Sequence, residues 1–254
     1  MTIAGIQVSS LKAYLQTPED MYETFRRLSE MGCKTVQLQW INPGISNEVI
    51  ANALKETGLY SVSTQDYYEE VTTHLEKTLR LNDLCDSTHV CVSGIPTKYR
   101  SYEGCLAFAH KLNSLSEQLE KDGKVLSFHP RSQEFDLFDG IPGMEILMEH
   151  TRKEVCLGLD LYHVRKAGLD AAEWIKKYAG RIDFVHFKDC VHLSDGSEKL
   201  VPVGQGDTDW APVVRACLEA DIPWAFAEQE RWDKDAFICM KESFEWLLQQ
   251  GFRP

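Results

Sequence analysis

The sequence has no C-x-x-C pair, no cluster of basic residues and no apolar run that approaches bilayer-spanning length. The first absence argues against reading the cysteines as a disulfide framework. Its eight cysteines are scattered at positions 33, 85, 91, 105, 156, 190, 217 and 239, mostly inside apolar segments, where a thiol behaves as a small hydrophobe. Reduced cysteines are therefore expected, with Cys190 alone close to a candidate site. Lys and Arg total 27 against 39 Asp and Glu, a formal charge of −12. No concentrated positive field is available for nucleic acid or an anionic membrane, so a small molecule is the expected partner. Met1-Thr-Ile-Ala-Gly lacks the basic start and apolar stretch of a signal peptide, which makes a cytoplasmic protein the expectation.

What is present is a regular alternation. At 254 residues and 43% hydrophobic content the chain can bury one large core, so residues 1–254 read as a single domain. Short β-type runs begin at Ile3, Thr35, Tyr60, His89, Val125, Val155, Ile182 and Trp224. Each precedes a helical pattern: a helix capped at Thr17-Pro18 and stopped by Gly32, then Ser46–Thr57, Thr72–Cys85, Ser101–Lys121, Pro142–His150, Asp170–Tyr178, Trp210–Ala220 and Lys234–Gln250. Strict strand-helix alternation implies parallel strands with right-handed crossovers, and eight such units in this length imply a closed (β/α)8 barrel, fold class α/β. No linker or low-complexity segment interrupts the series. Lys188 to Gln205 is the longest stretch without apolar periodicity.

A parallel barrel delivers the last residues of every strand to one rim, and here those residues are unusually polar. They include Gln7, Gln39, Trp40, Gln65, Asp66, Ser93, His129, Asp160, His186 and Glu228, with Arg131, Glu134, His163, Lys188, Asp189 and Glu230 just beyond. Asp160, His186 and Glu228 end three consecutive strands, and a carboxylate, an imidazole and a second carboxylate are the donors that hard or borderline divalent ions select. A structural ion network with Lys188, Arg131 or Arg231 is the alternative. Lys188 shares a strand face with His186 and so points to the same rim. Trp40, Tyr67 and Tyr162 are placed to stack on the ring of a small-molecule ligand or to pack the rim. Pro202-Val-Gly204-Gln-Gly206 reads either as a phosphate cradle or, more simply, as a turn into a cap at Asp207-Thr208-Asp209.

Four segments carry a family likeness: Gly158-Leu-Asp160-Leu-Tyr-His163 through Gly168, Gly180-Arg-Ile-Asp-Phe-Val-His186-Phe-Lys188-Asp189, Val203-Gly-Gln-Gly-Asp-Thr-Asp-Trp210, and Ala227-Glu228-Gln229-Glu230. Together they resemble the xylose isomerase-like TIM-barrel superfamily and, within it, the sugar phosphate isomerase/epimerase group. The resemblance implies a divalent metal (Mn, Co, Mg or Zn) held by Glu, Asp, His and Glu from strands five to eight. Asp160, His186 and Glu228 match three of these. The fifth strand instead reads Leu126-Ser-Phe-His129-Pro-Arg131-Ser-Gln-Glu134-Phe, similar to a subgroup with His-Asn-His-x-x-Glu-Phe. His129 is accordingly the candidate fourth ligand, with acid-base and structural roles also open, and Glu134 is a candidate reaching in from the loop. Glu228, His129, Lys188 and Glu134 form the catalytic set, and Trp40, Arg131, Tyr162 and His163 the substrate-contacting set. His163 and Asp189 are also placed to orient ligands.

The implied activity is isomerisation or epimerisation of a ketose or keto-polyol through an enediolate, after a carboxylate or imidazole removes the proton beside a carbonyl polarised by the metal. Loss of a β-hydroxyl would give a dehydratase instead, and loss of the metal a noncatalytic sugar-binding barrel. Endonuclease chemistry would need more ligands and a basic surface. Homo-oligomerisation is compatible with the sequence.

Overall fold

The computed structural model describes all 254 residues. Eight parallel strands close into a barrel: β1 (Ile3–Gln7), β2 (Thr35–Leu38), β3 (Tyr60–Tyr67), β4 (His89–Ser93), β5 (Val125–His129), β6 (Val155–Asp160), β7 (Ile182–Phe187) and β8 (Trp224–Ala227), with β8 pairing β1 through Ile3–Ile6. The strands are apolar on the face that meets the helices and polar toward the upper interior, which is the alternation a period of two produces. All eight expected units are present in the expected order.

The helices form where local chemistry starts and stops them. At Pro18–Glu30 the Thr17 side chain accepts from the Asp20 amide, proline occupies the first turn, and Met21, Phe25 and Leu28 are buried on one stripe. Asn47–Thr57 is capped by Ser46 and ends at Gly58, whose φ of 69° closes the last turn in the left-handed region. Ser101, Asp170 and Asp235 cap the helices that follow them in the same way. The third helical segment differs from expectation. It starts at Tyr68 and breaks at His74 into Tyr68–Thr73 and Leu75–Leu84.

Three more elements go beyond the sequence reading. A 3-10 segment, Val8–Tyr14, follows β1, and a short helix, Leu161–Lys166, follows β6. The stretch after β7 is not structureless, because Asp189–His192 and Glu198–Val201 pair as an antiparallel hairpin. No helix is long and apolar enough to cross a membrane.

Midway down the barrel the interior is aromatic. Phe184 and Phe226 meet edge to face at 5.8 Å, beside Val62 and Cys91. Gly158 makes room for this pair, since a Cβ there would lie 2.2 Å from the Phe184 ring. Above these rings the interior is polar. Below them His89 pairs with Asp183 at 3.2 Å, and Asp183 also accepts from Ser127.

Candidate metal centre at the barrel mouth

His129, Asp160, His186 and Glu228 come from β5, β6, β7 and the residue after β8, so the parallel register carries all four to the same end of the interior. Each is buried, and one ligand atom from each falls within 4.8 Å of the others. His186 Nδ1 stands 3.2 Å from Glu228 Oε2 and 3.1 Å from His129 Nε2, and His129 Nε2 is 3.7 Å from Asp160 Oδ2. Asp160 does two things at once. Its Oδ1 caps the short helix by accepting from the His163 amide at 3.0 Å, which leaves Oδ2 facing the cluster. Asp160 Oδ2 and Glu228 Oε2 are buried oxygens without a hydrogen bond.

Lys188 completes the charge balance. Its ammonium lies 3.0 Å from Glu228 Oε2, 3.4 Å from Asp160 Oδ2 and 2.6 Å from Glu230 Oε1. Burial pushes the Asp160 and Glu228 carboxyls up, but Lys188 and the neighbouring imidazoles outweigh it and hold both well below the usual carboxylate range. Burial opposes the charge on Lys188 as well, yet Glu228, Asp160 and Glu230 keep the ammonium protonated with a pKa well above normal. Glu230 is pushed the other way, upward, by burial and by the Glu228 charge. Burial lowers the His186 pKa, and it brings His163 down to about 4 even though Asp160 is close by. Both rings are therefore neutral at pH 7.

Ser9 and Gln37, which are not among the strand-end residues named above, and Gln7 and Ser93, which are, hold these groups in place. Ser9 Oγ donates to Glu228 Oε1 at 3.0 Å from the 3-10 segment after β1. Gln37 Oε1 lies 2.6 Å from His186 Nε2 and accepts from Gln7 Nε2 at 2.8 Å. Ser93 Oγ sits 3.1 Å from His129 Nδ1. A signal for Gln37 was available: Thr35-Val-Gln-Leu-Gln places amides at alternate positions of a buried strand, so they must share its interior face.

Several expected participants are elsewhere. Glu134 is buried, but its two oxygens accept from the backbone amides of Ile95 and Arg131, at 2.8 and 2.6 Å, so it braces the loop after β5 and does not join the cluster. Arg131 reaches over Tyr67, with 5.6 Å from the guanidinium carbon to the ring centre. Trp40 stands at the rim with φ 57° and Lys12 above its ring, lining a cavity of about 370 Å³ with Gln39, Gln65 and Asp66. None of the four clustered residues lines that cavity. Tyr162 lies beneath Lys188, with its hydroxyl donated to Glu198, and packs against Cys190 and Leu200. His163 is near the cluster, its Nε2 3.8 Å from Asp160 Oδ2.

Asp189 does not orient a ligand. Its carboxylate accepts from the amides of Cys190, Gly204 and Gly206, from Thr208 Oγ1 and from Trp210 Nε1. Gly204 and Gly206 thus spend their amides on Asp189, and the segment is a turn held by a carboxylate, not a phosphate cradle. All eight cysteines are free thiols.

Residues 25–249 match the family of xylose isomerase-like TIM barrels. The chain belongs to that family. No curated protein matches the chain by sequence. Among solved structures, this xylose isomerase-like barrel is similar to a sugar phosphate isomerase/epimerase from Parabacteroides distasonis, with a TM-score of 0.82 and 18% identity over 97% of this chain and 93% of the other. An L-ribulose 3-epimerase superposes with a TM-score of 0.76 and 14% identity, covering 98% of this chain and 94% of the other. The IolI protein, whose structure carries a zinc atom, gives a TM-score of 0.74 and 14% identity, with 98% of both chains covered. At these identities the likeness is one of fold.

Proposed function

We propose that this barrel is a divalent-metal-dependent isomerase or epimerase acting on a ketose or related keto-polyol. The observation that carries the reading is the pair of buried carboxylate oxygens, Asp160 Oδ2 and Glu228 Oε2, that lack hydrogen bonds and face two imidazoles. Lys188 is the one ammonium paired with these two oxygens, and a divalent cation ligated by the mixed nitrogen and oxygen set would compensate their charge more fully. Asp160, His186 and Glu228 would hold the ion, with His129 as the fourth ligand. When bound, Mn, Co, Mg or Zn would supply Lewis-acid polarisation of a carbonyl oxygen.

The protein's own groups do the rest. Glu228, steadied by Ser9 through Oε1, is the carboxylate placed to take the proton from the carbon beside the carbonyl. The Lys188 ammonium stabilises the negative charge that develops on the enediolate oxygens. Glu228, once protonated, can hand the same proton to the neighbouring carbon, which gives isomerisation. Epimerisation needs a second acid on the opposite face, a role open to His129 only where it does not ligate the ion, and burial of the whole set keeps bulk water from competing. Neighbours of the same fold described as a sugar phosphate isomerase/epimerase and an L-ribulose 3-epimerase support this reaction class.

The test is to supply manganese and a panel of ketoses in deuterated water and to follow label at the carbon beside the carbonyl. Label should enter with wild-type protein and not with Glu228→Gln. Retained exchange in that variant removes Glu228 from the base role. Appearance of an unsaturated product would reassign the site to a dehydratase. If no divalent ion binds or activates under metal-replete conditions, the barrel is a sugar-binding module.

A further inference from the structure

The two histidines of the cluster are held by different kinds of partner. An imidazole can ligate only through a nitrogen that carries no proton, so what fixes the proton on the other nitrogen decides whether the ring is ready. For His186 the chain of constraint begins at a backbone amide. The Ser9 N–H donates to Gln7 Oε1 at 3.3 Å, which fixes the Gln7 side chain with its Nε2 as the donor toward Gln37. Gln37 must then present Oε1 to Gln7, and the same oxygen lies 2.6 Å from His186 Nε2. An oxygen cannot donate, so the proton of His186 is on Nε2 and the Nδ1 lone pair faces Glu228 and the cluster. Gln37 Nε2 is left buried without a partner, which is the cost of turning the oxygen toward two donors.

His129 has no such lock. Its Nδ1 meets the Ser93 hydroxyl at 3.1 Å, a group that donates or accepts by rotating. Its Nε2 lies 3.1 Å from His186 Nδ1. With His186 Nδ1 bare, that contact requires the His129 proton on Nε2 and a Ser93 hydroxyl that donates to Nδ1. Ligation through Nε2 requires the reverse, with the proton on Nδ1 donated to the Ser93 oxygen. The proton count on the ring is unchanged and only its site differs.

We infer that Gln37, oriented by Gln7, is a positioning residue that presets His186 as an Nδ1 ligand, while Ser93 lets His129 exchange tautomers when a metal binds. The inference rests on the metal reading for its purpose, and on hydrogen bonding for the His186 tautomer. Apart from the Ser9 amide, which Gln7 caps, the two glutamine side chains bond only to each other and to His186.

The experiment is nitrogen-proton correlation NMR of the imidazole rings in metal-free protein and after addition of zinc, each ring assigned by its loss in His186→Gln or His129→Gln. His186 should carry its proton on Nε2 in both states, and the His129 proton should move from Nε2 to Nδ1 with zinc. In Gln37→Leu the His186 preference should be lost and zinc affinity should fall about 10–100-fold, the usual effect of removing a group that orients a metal-bound histidine. Gln37→Glu, which retains the acceptor, should restore the Nε2 proton. A proton on Nδ1 of His186 in metal-free wild type overturns the lock, as does an unchanged His186 tautomer in Gln37→Leu. A His129 tautomer indifferent to bound zinc overturns the exchange. Failure of wild type to take up zinc, with His186 still protonated on Nε2, sinks the metal reading and confirms the lock.

Discussion

Replacing Asp189 by asparagine should destabilise this protein far more than a one-atom change suggests. Asp189 is fully buried. Oδ2 accepts from Gly204 N and Gly206 N at 3.0 Å and from Trp210 Nε1 at 2.8 Å, while Oδ1 accepts from Cys190 N at 2.9 Å and Thr208 Oγ1 at 2.7 Å. In the best orientation asparagine keeps its oxygen toward the first three donors and turns its NH2 group toward the other two. Thr208 can rotate to accept, but the Cys190 amide then faces another donor, at a cost of about 1–3 kcal/mol. The three remaining bonds change from charged to neutral, a loss of about 1 kcal/mol each. The expected destabilisation is about 4–6 kcal/mol, a large part of the 5–15 kcal/mol typical of a folded protein. Urea unfolding followed by tryptophan fluorescence would measure it, and Trp210 lies at the perturbed site. Gly206→Ala should act in the same direction, because its Cβ would meet Asp189 Oδ1 at 2.2 Å. A loss below about 1 kcal/mol in Asp189→Asn, on the scale of an ordinary surface change, would refute the account of the loop.

Three further outcomes are expected. Zinc or manganese at 100 times its dissociation constant should stabilise the wild type by about 2.7 kcal/mol in a thermal scan, whereas Asp160→Asn, which keeps a good helix cap, should fold without that gain. Gly158→Ala should lower stability by about 1–3 kcal/mol by forcing the Phe184 ring aside, and an unchanged melting temperature would contradict the packing described for the barrel interior. Burial pushes the thiols of Cys33, Cys85, Cys156 and Cys217 up to about 12, so they stay protonated at pH 8 and native protein should alkylate slowly there, with all eight cysteines reacting in denaturant. Mass spectrometry after brief labelling checks this, and rapid modification of any of those four would contradict it.

The barrel was legible because its signals are local: apolar runs of strand length, caps such as Thr17 and Ser46, and stops such as Gly58. Asp160, His186 and Glu228 were legible because strand ends in a parallel barrel share a rim. The direction of a loop side chain is not encoded so simply. Glu134 follows the strand by five positions, and only the folded loop shows that it turns back to the Ile95 and Arg131 amides. Asp189 was misread for a similar reason, since its five donors come from residues up to 21 positions away. The helix Leu161–Lys166 is too short for a clear period, and its start depends on Asp160 serving as cap and site residue together. The alternation in β2 puts Gln37 on the interior face, but its partner His186, like the partner of Ser9, is fixed only by closure of the barrel, which sets β1 beside β8 and faces β2 toward β7 across the interior.

The aromatic layer under the site divides the barrel into two chambers. Phe184 lies almost parallel beneath His186, at 5.4 Å and 25°, and Phe226 meets it edge-on. Hydrocarbon of this kind transmits neither protons nor hydrogen-bond order, so the hydrogen-bond network of the His89–Asp183 pair below is separate from that of the carboxylates above. The lower chamber can therefore be repacked for durability, and the upper one for a different substrate, with separate hydrogen-bond networks, provided the charges below are kept, because a low-dielectric layer carries their field.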